Sequence, residues 1–365
     1  MKVDSVESYR ITIPMKPENL SFGRVDKVQY VIVRVSAGNI DGWGEAATLQ
    51  GPTWSEESQE SIQSVIESYL SKIVVKQDTR DYYKILWLMD QRVRGNNFAK
   101  AALEMALIDA FCKELNIPIY AIWGSFRSSI PLSWTIANND EDLDAEEAYQ
   151  MVKRGWKILK VKVGSLPVKT DLRRIKRIRE AVGDEVSLRV DANQGWRYDQ
   201  ALSIIHELNK LKVDLLEQPL PKQDLEGMSR IATNSEVPIM ADESVTDLRD
   251  AVELICCKGS SVFSYKLTKM GGLTKARSIY EVAFAHGVSS YVGSMIETSI
   301  GTAAYLHFAS SLPEVEYGCE LFGPLRLHGD VAKKPVAYGK GEVFVPKGEG
   351  LGVEVDQKKL SKFSN

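Results

Sequence analysis

Three short apolar runs end on acids. Asp191 closes SLRVD, Glu217 closes VDLLE and Asp242 follows VPIMA, each about 25 residues from the next. A lone acid at a strand end is commonly a cap or turn residue. Three at one repeating interval, one strand plus one helix apart, point to a shared location. Carboxylates that converge repel one another unless a cation sits among them. An all-oxygen donor set suits Mg²⁺ or Mn²⁺, whereas Zn²⁺ favours Cys or His. Lys160 and Lys162 lie two apart in WKILKVKVG and share one strand face, while Leu159, Val161 and Val163 take the other. Lys266 ends SVFSYK. A bare K-x-K pair is most often a solvated strand face, but here the neighbours are apolar. A second ammonium nearby, burial and a dication each depress a lysine pKa. A lysine titrating near neutrality can deliver or remove a proton at carbon. These residues suit proton transfer next to a carboxylate, with the enolate stabilised by a divalent metal.

Something must bring these groups together. From about residue 130, short apolar runs recur at 130–137, 156–164, 185–191, 213–219, 237–244, 261–268, 287–294 and 314–321, with amphipathic helical stretches between most of them. Eight regular units predict a TIM-type barrel, in which chemistry gathers at the C-terminal ends of the strands. An open doubly wound sheet is the competing fold, but no GxGxxG follows a first strand. Residues 1–48 alternate like a β-meander and residues 56–115 turn to helical periodicity, which predicts an α+β cap before the barrel. The tail, with GEVFVPKGEGLGVEV, is expected to pack back on the cap. The expected divisions are 1–125, 126–325 and 326–365.

The chain has 365 residues, 44% hydrophobic and 26% charged, with a net charge of -3. That balance excludes a basic nucleic-acid face or membrane patch, and no run reaches a membrane-spanning length. The N-terminus reads as a strand, not a leader. Cys112, Cys256, Cys257 and Cys319 form neither a C-x-x-C motif nor a disulfide framework. All four read as buried thiols of a reducing, cytoplasmic compartment. His206, His286, His307 and His328 fall in helical or tail segments, and the glycines of KMGG (269–272) read as a tight turn.

In order, KVKVG, RVDANQGW, LLEQP, MADES and YKLTKMGG resemble the motifs of the enolase superfamily in its muconate lactonizing branch, and the resemblance spans nearly the whole chain. It implies an α/β fold: a (β/α)₇β TIM-like barrel with an N-terminal α+β capping domain, and Mg²⁺ or Mn²⁺ as cofactor. By resemblance Asp191, Glu217 and Asp242 are metal ligands, and Lys162 transfers the proton with Lys160 tuning it. Lys266 faces the other side of the substrate. Asn193, Glu243 and Glu297 are supporting polar residues. No histidine follows the seventh strand, where YVGSMIETSIG carries Glu297, unlike mandelate racemase relatives. CELFGPL offers Glu320 where dipeptide epimerases carry an Asp-x-Asp pair, and resembles muconate cycloisomerase instead. The expectation is a cycloisomerase of a muconate-like dicarboxylate, a small-molecule substrate, in a homo-oligomer with no nucleic-acid or membrane partner. A dipeptide epimerase, N-acylamino acid racemase or o-succinylbenzoate synthase is the alternative. Substrate contacts are expected from the loop at 14–25, where Arg24 is a candidate and Lys16 reads as a solvated charge. Others are expected around Thr53 and at Glu320.

Overall fold

The computed structural model describes residues 1–364. Three antiparallel strands begin the chain: β1 (Ser5–Leu20), β2 (Gly23–Ala37) and β3 (Ile40–Ala47), in the order β1-β2-β3. Helices Tyr82–Arg92 and Asn97–Glu114 follow. Most of helix Asn97–Glu114 is buried, because its Ala-rich surface lies directly on β3. Gly42 and Gly44 permit that approach. A Cβ built at Gly42 would lie 2.0 Å from the Ala106 carbonyl oxygen, and one at Gly44 1.9 Å from that of Ala102. These elements form the capping domain.

Two short strands open the second half, β4 (Ser129–Pro131) and β5 (Trp134–Ile136). After them come β6 (Ile158–Lys162), β7 (Ser187–Asp191), β8 (Val213–Glu217), β9 (Ile239–Ala241), β10 (Val262–Tyr265) and β11 (Ser289–Val292). Strands β5 to β11 make one parallel, curled sheet in sequence order, with a helix between most neighbours. Their side chains are almost continuously buried, as expected of strands packed on both faces. The run at 130–137, expected to be one strand, is two: β4 leaves the barrel to pair antiparallel with β12 (Glu342–Phe344).

The eighth strand expected over 314–321 contracts to single-residue bridges. Cys319 pairs with Val292 on one side and with Leu132 on the other. Gly318 explains the contraction. Its φ of 66° is left-handed and breaks the extended run, and a Cβ there would meet the Pro131 carbonyl oxygen at 2.4 Å. Backbone hydrogen bonds from Val292 to Gly318 and from Ser133 to Cys319, 3.0 and 2.8 Å, still close the ring.

The tail touches the cap at several points. Ser364 bridges Ile11, Leu327 bridges Met15, and Gly350 exchanges hydrogen bonds with Ile117 and Ile119. No helix among the described residues is long and apolar enough to cross a membrane. One expectation about the thiols needs correcting. Cys112 and Cys319 are buried, but Cys257 is half-buried and Cys256 exposed, because helix Leu248–Cys257 ends with them at the surface.

Candidate active site

Register builds the site. Lys162 of β6 pairs with Asp191 of β7, which pairs with Glu217 of β8. The last residues of three neighbouring strands therefore share one rung at the C-terminal rim. Asp242 follows β9 directly, and Lys266 follows β10. All of these side chains are buried.

The lysines are threaded among the acids. The Lys162 Nζ donates to Asp191 Oδ2 at 2.6 Å and to Asn193 Oδ1 at 2.9 Å. The Lys160 Nζ lies 3.2 Å from Asp191 Oδ2 and 3.1 Å from Glu217 Oε2, and it also contacts Glu320. The Tyr291 hydroxyl donates to Glu320 Oε2 at 2.8 Å. Across the mouth, Lys266 Nζ donates to Asp242 Oδ2 at 2.7 Å and sits 4.3 Å from the centre of the Trp54 ring. Lys269, which the sequence reading absorbed into a turn, donates to Asp242 Oδ1 at 2.8 Å.

These contacts set the charge states. Burial works to raise Asp191, but the ammonium groups of Lys162 and Lys160 outweigh it and hold its pKa below the ordinary value. Asp242 is likewise held well below, against burial, by Lys266 and Lys269. Glu217 is left over. Burial first, then the charge of Asp191, push it up to about 7, and its Oε1 has no hydrogen-bond partner. Glu243 rises to about 8 through burial and the adjacent Asp242. Lys266 is shifted upward. Burial lowers its pKa, but Asp242, Glu243 and Glu217 more than compensate and raise it. Lys269 is the depressed one, through burial and, secondarily, Lys266.

Among the described residues, no three His, Cys, Asp or Glu side chains are gathered closely enough to hold a metal ion as they stand, because ammonium groups occupy the space between the acids. The donor chemistry nevertheless fits a hard divalent cation. Asp191, Glu217 and Asp242 are all-oxygen donors that raise one another's pKa, and Glu217 Oε1 is buried and unpaired.

A narrow cavity of about 30 Å³ opens onto this cluster. Lys162, Asn193, Lys266, Glu320, Trp54 and Glu18 are among its walls. Glu243 stands behind the wall, accepting from the Trp54 indole at 3.1 Å and from Asn193 Nδ2 at 3.2 Å. Glu297 also stands behind it, holding the turn after β11 by accepting from Ser294 Oγ at 2.6 Å and the Met295 amide at 2.8 Å. Two expected contacts are not brought to the cavity. Arg24 is exposed on the β1–β2 hairpin, where the strand turns its side chain outward, and Thr53 is exposed beside Trp54, which takes the inward position instead.

Among the wall and rim residues that the sequence did not mark are Glu18, Trp54, Thr135 and Lys269. Lys269 carried a signal, since it lies three residues after Lys266 and so on the same side of one helical turn. Glu18 and Trp54 come from the cap, and nothing local marks them.

Comparison with known proteins agrees with this architecture. Residues 5–124 match the family model of the mandelate racemase / muconate lactonizing enzyme N-terminal domain, and residues 144–359 that of the enolase C-terminal domain-like family. A chloromuconate cycloisomerase of Cupriavidus necator is 38% identical over 367 residues, covering 100% of this chain and 99% of the relative. The crystal structure of a muconate lactonizing enzyme from Pseudomonas fluorescens, complexed with muconolactone, superposes with a TM-score of 0.98 at 34% identity, covering 100% and 99% of the two chains. That of an L-Ala-D/L-Glu epimerase from Bacillus subtilis gives 0.93 at 35% identity, covering 98% and 100%.

Proposed function

The chain belongs to the mandelate racemase / muconate lactonizing enzyme family, and from that membership we propose that it is a cycloisomerase of a muconate-like dicarboxylate. Enzymes of this family generally use a divalent metal. The observation that carries the reading is the shared rung of Lys162, Asp191 and Glu217 beside the narrow cavity.

In this reading Asp191, Glu217 and Asp242 would hold Mg²⁺ or Mn²⁺. A dication there supplies Lewis-acid polarisation of the substrate carboxylate, which makes the adjacent carbon enolic in character. The protein's own groups do the rest. Lys162, held by Asn193, delivers one proton to the substrate carbon. Lys160 keeps a second positive charge beside it and pairs with Glu320. Lys266, pinned between Asp242 and the Trp54 ring, stands on the opposite side and acts electrostatically on developing negative charge. A syn ring closure needs only one proton donor, so Lys162 alone suffices. The same reading makes the enzyme cytoplasmic and homo-oligomeric.

One observation favours a second reading. Glu18 is buried in the cavity wall, accepts no hydrogen bond, and has an oxygen 3.3 Å from Arg326 Nε. The Thr135 hydroxyl in the same wall is also unpartnered. Paired with Arg326, that acid keeps acceptor capacity for an N–H donor on the substrate. That suits an N-acylamino acid or a dipeptide, whose epimerisation would use Lys162 and Lys266 as bases on opposite faces.

The test is incubation with Mn²⁺ in deuterated water, with cis,cis-muconate in one arm and L-Ala-L-Glu or N-succinyl amino acids in the other. Muconate consumption with one deuterium delivered to the lactone, abolished in Lys162→Ala while metal binding persists, is the expected result. Efficient epimerisation with muconate untouched would overturn cycloisomerisation in favour of the second reading.

A further inference from the structure

Lys162 has two ends, and only its ammonium has been accounted for. Its backbone carbonyl accepts a hydrogen bond from Arg174 Nη2 at 3.1 Å. Arg174 lies on helix Val168–Val182, and its side chain is fully buried. The rest of its fork is equally engaged. Nε donates to Asp144 Oδ2 at 2.7 Å, and Nη1 donates to Asp171 Oδ1 at 3.0 Å. Each aspartate then reaches a turn at the rim. Asp171 Oδ2 accepts the Gly164 amide at 2.9 Å, two residues after Lys162. It also lies 3.5 Å from the indole nitrogen of Trp196 in the turn after β7. Asp144 Oδ1 accepts the Asn138 amide at 3.0 Å, just beyond β5.

We propose that Arg174, with Asp144 and Asp171, is the positioning device for Lys162, fixing where its backbone leaves β6 and therefore where its ammonium can reach. The proposal rests on Lys162 as the proton carrier. Stability is a poor reason for the triad. Two carboxylates and one guanidinium are removed from water, and well-packed apolar side chains often serve as well or better. What apolar side chains cannot do is hold three backbone segments at fixed angles. A planar guanidinium with donors in a rigid fork can, and a lysine ammonium cannot span the same three acceptors. Proton transfer to carbon is sensitive to this, since a displacement of about 1 Å costs roughly 100-fold in rate.

Two variants test it. Arg174→Lys keeps the charge and loses the fork. The triple variant Asp144→Asn, Arg174→Met, Asp171→Asn removes the buried charges but keeps an acceptor for Gly164 and Asn138, so it guards against simple unfolding of the single variant. We expect kcat to fall roughly 100-fold with KM and the Mn²⁺-induced thermal shift little changed. We also expect hydrogen exchange in peptides spanning 162–165 to accelerate about tenfold while the cap exchanges as before. The exchange measurement needs no substrate, so it decides the positioning claim even if no carboxylate in the panel turns over, an outcome that would instead refute the proposed activity. Unchanged exchange at 162–165 in both variants, or a fall in kcat matched by acceleration throughout the molecule, would overturn the proposal.

Discussion

His307 offers the cleanest measurement of what burial costs this fold. It lies on helix Ser299–Ser311, fully enclosed, with Nε2 3.0 Å from the Leu351 carbonyl oxygen and Nδ1 without a partner. Burial pushes its pKa down from 6.5 to about 4, and the Leu351 carbonyl opposes the fall only in part. Above the unfolded value the ring is neutral in both states and costs nothing. As pH falls below that value the unfolded chain takes up a proton that the folded chain refuses, so stability is lost until the folded pKa is reached. The loss is about 2 kcal/mol at pH 5 and about 3 kcal/mol at pH 4. His307→Phe keeps a ring in the site and removes the titration, but leaves the Leu351 carbonyl without its donor, at a cost of roughly 1 to 1.5 kcal/mol at any pH. The two stability curves should therefore cross near pH 5.5, with the wild type more stable above and the variant below. Urea unfolding of both proteins between pH 4.5 and 8 measures this directly, since every other titrating group is shared and cancels in the difference. Parallel curves across that range would refute the assignment of a neutral, proton-refusing His307.

Glu217→Gln should remove both the rise in melting temperature on adding Mn²⁺ and most of the activity, because the carboxylate becomes a neutral amide with only one oxygen to offer; scanning calorimetry with and without the ion is the check. Trp54→Leu takes the aromatic face off the Lys266 ammonium and the indole donor off Glu243, and should lower kcat/KM by about 10- to 30-fold while melting temperature changes little, as a steady-state series would show. Glu45, from the cap, accepts from the Thr298 and Gly301 amides at 2.8 and 3.0 Å, and burial raises its pKa to about 8. The folded state therefore holds a proton that the unfolded chain loses above about pH 4.5. This group's contribution erodes as pH rises from there to about 8, and Glu45→Gln should flatten that part of a stability–pH curve.

The barrel and its rim were legible because they are written locally. Asp191 and Glu217 sit at the ends of five-residue apolar strands, and the strand–helix interval repeats, so a reader needs only the period. The lysine pair was legible for the same reason, since alternation places Lys160 and Lys162 on one face. The cap side of the cavity was not. Glu18 and Trp54 meet the rim only across long sequence separations, and their neighbours Arg24 and Thr53 look just as suitable on paper. The upward shift of Lys266 was not legible, because it comes from three carboxylates on other strand ends that face that ammonium. The last barrel strand was overestimated because a left-handed glycine in YGCEL is invisible to hydrophobic pattern.

The return of the tail to the cap has a consequence for how the protein is made. Ser364 pairs with Ile11, and Leu351 donates to Asp109 Oδ1 at 2.7 Å, so the cap is completed by a segment that follows the whole barrel in the chain. Until then Asp109, buried in the finished molecule, lacks one of its donors, and strand β1 lacks its outer neighbour. Contacts of such long sequence separation form late. The cap is therefore expected to finish after the barrel, and removing the segment from Gly350 to Ser364 should loosen the cap while the barrel strands keep their pairings.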